Sequence, residues 1–148
     1  MTEKIKAGRN RTIVVQESEI SQLEHHIIHK DNLNTATGFL NKVINADLFE
    51  VLTFLPDEFA DLIIVDPPYN LDKNFNGLKF NSMNADKYEE YVDSWLTELC
   101  KKLKPCGSLY LCGDWKCTSS LQRVLERHLT ILNRITWQRE KGRGAMNN

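Results

Sequence analysis

The feature that most limits the fold is a run of four apolar residues, Leu62-Ile63-Ile64-Val65, closed by Asp66-Pro67-Pro68-Tyr69. Ile63, Ile64 and Val65 are β-branched and favour extended backbone. A continuous apolar run, rather than an alternating one, predicts a strand covered on both faces, as in the centre of a parallel sheet. Proline has no N–H for the ladder, so two in succession end the strand.

The flanking patterns suit such a sheet. Lys42 to Asn45 reads as a short strand ending before Asp47, and Leu48 to Leu55 as a short helix stopped by Pro56. Asp86 to Leu103 predicts a helix whose apolar stripe is Val92, Trp95, Leu96, Leu99 and Leu103, with Tyr88 and Tyr91 beside it and Pro105 and Gly107 as its stop. Ser108 to Cys112 predicts the next strand. Ser119 and Gln122 suggest a capping box for a helix through His128, and Ile131 to Trp137 a third strand. This alternation is that of an α/β domain with a mostly parallel sheet and helices on both faces. Ligands of such sheets sit beyond the carboxyl ends of the strands, which is where Asp66 to Tyr69 falls. Leu71 to Met83, with three asparagines and a glycine, reads as a flexible loop and a candidate lid.

The amino-terminal part is less patterned. Met1 to Arg11 is a basic arm, Thr12 to Gln16 a candidate strand, Ser18 to His29 a helix and Asp31 to Gly38 a polar connection. The expected division is therefore residues 1–41, a basic arm and helical extension, and residues 42–148, the part that holds the site. Both ends are basic, +3 over residues 1–11 and +3 over residues 134–148, although the whole chain carries −1. The middle is correspondingly acidic. That distribution suits phosphate contact by the ends.

Composition excludes several classes. No apolar run approaches the ~20 residues of a membrane span. Met1 to Arg11 has no apolar core of a secretory leader, so a cytoplasmic protein is expected. Cys100, Cys106, Cys112 and Cys117 contain no C-x-x-C pair, and no metal site is expected from them. His25, His26 and His29 lack the glutamate of a zinc-protease helix and read as a solvated helix face, His26 and His29 sharing one side.

The chemistry concentrates at Asp66-Pro67-Pro68-Tyr69. The two prolines hold their neighbours with little freedom. The Asp66 carboxylate and the Pro67 carbonyl are then two acceptors, and Tyr69 is a ring that can stack on a planar group. This set suits the exocyclic amine of a nucleobase. Such an amine is conjugated with its ring and is a poor nucleophile. Acceptors at its two hydrogens help most in the transition state, where those hydrogens become acidic.

Asp61-Leu62-Ile63-Ile64-Val65-Asp66-Pro67-Pro68-Tyr69-Asn70 resembles the catalytic motif of S-adenosylmethionine-dependent DNA amino-methyltransferases, which modify adenine N6 or cytosine N4. Asn45-Ala46-Asp47-Leu48-Phe49-Glu50 resembles their short acidic motif, with Ala46 where glycine is usual. The stretches Cys100 to Tyr110 and Ile135 to Gly144 resemble the helix and strand after the catalytic strand and the entry to target recognition. The order resembles the beta-type arrangement, catalytic half first. The resemblance implies a Rossmann-like methyltransferase sheet, present in part, and double-stranded DNA as partner. It implies S-adenosylmethionine as cofactor, Asp66, Pro67, Pro68 and Tyr69 as catalytic residues, and Asp47 and Asp66 as cofactor contacts, Asp47 being equally an N-cap. The target base is flipped from the duplex. Adenine is favoured by family habit over cytosine N4. A ribosomal RNA enzyme would place the cofactor half first.

The family's glycine-rich cofactor turn has no counterpart: of the seven glycines only Gly142 and Gly144 are two apart, and they follow a charged run. The expectation is a methyltransferase domain lacking its cofactor half, the alternatives being a non-catalytic remnant or one subunit of a split enzyme completed by a partner.

Overall fold

A computed structural model describes residues 15–32, 38–75 and 77–137. The basic arm, Thr12 to Val14, most of the polar connection and the tail from Gln138 lie outside these residues. The chain divides into two compact units, Met1–Asp57 and Glu58–Asn148.

In the first unit, helix α1 spans Glu17–Glu24, and the Glu19 carboxylate accepts the Gln16 backbone N–H at 2.8 Å. The helix expected through His29 ends five residues early. Ile27–His29 is instead strand β1, paired in parallel with β2, Val43–Asn45, in the register Ile27 to Val43. An Ile-Ile pair serves either element, and the partner strand decides it. His29 is thus on a strand and shares no helix face with His26. Helix α2 is only Leu48–Val51, with the Asp47 carboxylate capping the Phe49 N–H at 2.8 Å.

In the second unit, β3 (Ala60–Val65) and β6 (Leu103–Leu111) run parallel, Ile63 beside Leu109 and Val65 beside Leu111. The helix between them, α3 (Ala85–Lys101), starts at Asn84, whose side chain accepts the Lys87 N–H at 2.9 Å. Its stripe buries Tyr88, Val92, Trp95, Leu96 and Leu99. Fully burying an apolar side chain of this size is worth about 1.5–3 kcal/mol, so this stripe is the main source of cohesion. Leu103 is buried as expected, but as the first residue of β6 rather than the last of the helix.

Pro105 and Gly107 were expected to separate helix from strand; they lie inside β6. The register steps from Ala60–Leu103 to Leu62–Ser108, so β6 bulges there and Pro105 need not donate to the ladder. A side chain at Gly107 would come within 2.7 Å of Leu103 and 3.0 Å of the Ala60 carbonyl, so the bulge closes against β3 only with glycine.

A 3₁₀ turn, Trp115–Cys117, leads into α4, Thr118–Leu125, which packs on α3 and buries Leu121 and Val124. The expected Ser119 capping box is replaced by Asp114, which caps the turn one step earlier. Ile131 to Trp137 forms no strand, and Leu132, Ile135 and Trp137 are exposed.

The described architecture is therefore α/β with parallel pairing. It differs from expectation in coverage. On β3 and β6 the side chains of Leu62, Ile64 and Tyr110 share one face and are 52%, 68% and 51% exposed. The opposite residues, Ile63, Val65, Leu109 and Leu111, are half-buried. Among the described residues, helices cover one face of this sheet only.

Candidate active site

The site forms where β3 ends. Beyond Val65 the two prolines forbid further pairing, and the Tyr69 carbonyl accepts the Leu71 N–H at 2.6 Å in a tight three-residue turn. Asp66, Pro67, Pro68, Tyr69 and Lys73 line a pocket of about 340 Å³, at the small end of the range for ligand sites. All four expected catalytic residues are thus in one place. The Asp66 side chain is exposed and has no hydrogen-bond partner among the described residues. It is available to a ligand. Tyr69 is half-buried.

The Leu71 to Met83 segment is not the flexible loop expected. It holds an antiparallel hairpin, β4 (Lys73–Phe75) and β5 (Leu78–Phe80), turned at Gly77 with φ +100°. The Asn70 amide grips the Met83 backbone from both sides, donating to its carbonyl at 2.8 Å and accepting its N–H at 2.7 Å. One turn further in, Asp72 accepts from the Ser82 N–H at 2.7 Å and its hydroxyl at 3.0 Å. These bonds hold the Asp72 carboxyl below its ordinary value. Two side chains thus fasten the hairpin stem, and Lys73, just inside it, is set on the pocket wall.

Behind the site is an aromatic group. Phe80 meets Tyr91 edge-on at 5.7 Å, and Tyr91 stacks with Tyr88 at 6.2 Å. Burial pushes the Tyr88 phenol up to about 12, with smaller effects from Cys117, Tyr91, Tyr69 and Asp114. The Tyr88 hydroxyl is buried with no hydrogen-bond partner among the described residues.

Asp47 belongs to the other unit, where its carboxylate is engaged as the α2 cap. No group of three or more His, Cys, Asp or Glu is placed to hold a metal among the described residues. No helix among them is long and apolar enough to cross a membrane. Sequence reasoning assigned no anchoring role to Asn70 or Asp72; the signal for both was an Asx residue beside a forced chain reversal.

A family model for DNA methylase matches residues 60–148, which include the pocket and everything packed behind it. The chain belongs to the DNA methylase family. The methylase chain is 35% identical over 105 residues to the type II methyltransferase M.HpaI of Haemophilus parainfluenzae, covering 70% of this chain and 33% of that one. It is 35% identical over 97 residues to the type II methyltransferase M.BamHI of Bacillus amyloliquefaciens, covering 66% and 23%. It is 32% identical over 95 residues to the DNA adenine methyltransferase YhdJ of Escherichia coli, covering 64% and 32%. The methylase chain thus spans about a third or less of the length of these relatives. No solved structure matches it.

Proposed function

We propose that this chain is the catalytic-motif part of a site-specific DNA methyltransferase that methylates adenine N6. The observation that carries the reading is the pocket lined by Asp66, the diproline and Tyr69 beyond the end of β3. In this reading Asp66 and the Pro67 carbonyl accept the two amine hydrogens of a flipped base, and Pro68 fixes their direction. Tyr69 is the stacking wall. As the nitrogen attacks, its hydrogens become acidic, and Asp66 holds that developing charge where it forms. Adenine is taken as the target because YhdJ is named an adenine enzyme and because the motif begins with aspartate.

S-adenosylmethionine supplies the methyl group in this reading. The described residues do not form its whole site. Gly107 and Gly113 lie against the Leu103 and Leu121 side chains, and Gly77 opens a hairpin turn, so none of the three offers a backbone cradle for a nucleoside. We assign the remaining cofactor contacts to a second region or partner chain, with a Rossmann-like sheet completed by it. Asp47 is kept in this proposal as a cofactor contact, its carboxylate capping α2 through one oxygen.

The test is transfer of labelled methyl to duplex DNA by the assembled enzyme, followed by nucleoside analysis. Label is expected in N6-methyl-2′-deoxyadenosine. Asp66→Ala is expected to lower kcat by at least about 100-fold, the scale of removing one oriented transition-state acceptor, with DNA affinity nearly unchanged. Near-normal turnover in that variant would remove Asp66 from its role, and label on cytosine N4 would reassign the target.

A further inference from the structure

The carboxyl end of β6 lies directly beside that of β3: the Cys112 N–H donates to the Val65 carbonyl at 2.8 Å. The two chains therefore leave the sheet together, one into Asp66-Pro67-Pro68-Tyr69 and the other into Gly113-Asp114-Trp115-Lys116. The second exit is a built turn. The Asp114 carboxylate accepts the Lys116 N–H at 3.0 Å, the Asp114 carbonyl accepts the Cys117 N–H at 3.0 Å, and the Trp115 carbonyl accepts the Thr118 hydroxyl at 2.9 Å. Cys117 is buried beneath it.

This fixed turn holds an indole in water. Trp115 is 75% exposed, whereas Trp95 of the same unit is 3% exposed. The Lys116 ammonium lies 5.8 Å from the centre of the Trp115 ring, which leaves the other ring face open. The neighbouring acid, Asp114, is turned inward to the backbone and does not compete for the lysine. A rigid ring with a cation beside it is the combination that binds nucleic acid: every base has a face to stack on, and every step has a phosphate.

We propose that Trp115 and Lys116 form a second DNA contact on the carboxyl edge of the sheet, with the indole stacking on the base beside the flipped target and Lys116 meeting its phosphate. The proposal rests on the DNA methylase reading of the Asp66 pocket and adds residues to it. Stacking here also compensates the neighbouring base for the partner lost on flipping.

The test is a fluorescence titration of the full chain with a duplex that carries one mismatched adenine, repeated over a range of salt. DNA is expected to quench the indole emission. Trp115→Ala is expected to remove most of the quenching and weaken binding at least about fivefold, the lower end for one base–aromatic stack. Trp115→Phe, which keeps a ring, is expected to retain binding within about threefold. Lys116→Gln is expected to flatten the salt dependence by about 0.9 in slope, one phosphate contact. Trp137→Ala controls for the other exposed indole. Wild-type quenching and affinity kept by Trp115→Ala would overturn this proposal and leave the methylase reading standing, and equal weakening by the Ala and Phe variants would overturn the stacking. Absence of DNA binding in the wild-type chain would overturn the Trp115 and Lys116 contact, whereas the methylase reading fails only if the assembled enzyme transfers no methyl group.

Discussion

At the residue scale, two polar side chains of the site region behave in opposite ways. The Asn70 amide makes two backbone hydrogen bonds, both donor and acceptor used. The Tyr88 hydroxyl is buried and makes none among the described residues. An unpaired buried hydroxyl costs about 1–3 kcal/mol, whereas deleting it leaves the ring packing intact. Tyr88→Phe is therefore expected to leave the chain as stable as before or more stable by up to about 2 kcal/mol, read as the urea midpoint. A loss above about 1 kcal/mol would show that the hydroxyl has a partner. The aspartate, the prolines and the tyrosine of the motif were legible in the sequence because their chemistry is local: proline ends a strand wherever it stands. Asn70 was legible only as an ambiguous polar residue, because its partner, Met83, is thirteen positions away and no local pattern points to it.

At the element scale, the hairpin at Lys73–Phe80 is the clearest departure from sequence reading. Asparagines and a glycine look like mobile loop residues, and Gly77 does make the turn. What makes the segment a hairpin is the pair of fasteners at its base, which no propensity encodes. Asn70→Ala removes both Met83 bonds and leaves a half-buried backbone pair to find new partners. It is expected to speed amide exchange of residues 73–80 by about 10-fold or more, with little change in the α3 amides. Unchanged hairpin exchange would mean that Asp72 and Ser82 hold the stem alone. Strand β3 and the second half of β6 were read well because their apolar runs are strong, whereas Leu103 to Gly107 were read as helix end and stop because Pro105 and Gly107 break the run. Ile27–His29 was misread because three residues carry too little periodicity to separate helix from strand, and the parallel partner at Val43–Asn45 settles it. Ile131 to Trp137 has strand composition without a strand, because a ladder needs a neighbour and none of the described strands pairs with it.

At the scale of the whole molecule, the second unit is closed by a charged clasp between α3 and α4. Arg123 bonds Glu89, and the His128 ring nitrogen lies 2.7 Å from the Asp93 carboxylate, with Arg127 near both acids. The Arg123 hydrogen bond holds the Glu89 carboxyl below its ordinary value, and the His128 hydrogen bond does the same for Asp93. A depressed carboxyl stabilises the fold above its unfolded pKa, and that contribution is lost as pH falls through the lower, folded value. Thermal midpoints are therefore expected to be flat above about pH 5 and to drop on further acidification. Glu89→Gln should show a shallower drop, and equal slopes would remove Glu89 from the clasp. The clasp joins half-exposed arginines to a largely buried Glu89 and was invisible in the sequence, because its partners lie about 34 positions apart. The bare sheet face of Leu62, Ile64 and Tyr110 matters to the protein as a colloid. Among the described residues β3 and β6 each pair on one edge alone, and apolar side chains on a strand with such an edge are a template for another copy of themselves. Light scattering of the chain is expected to rise steeply with concentration, and Ile64→Lys, on the most exposed of the three, to suppress that rise without lowering the urea midpoint.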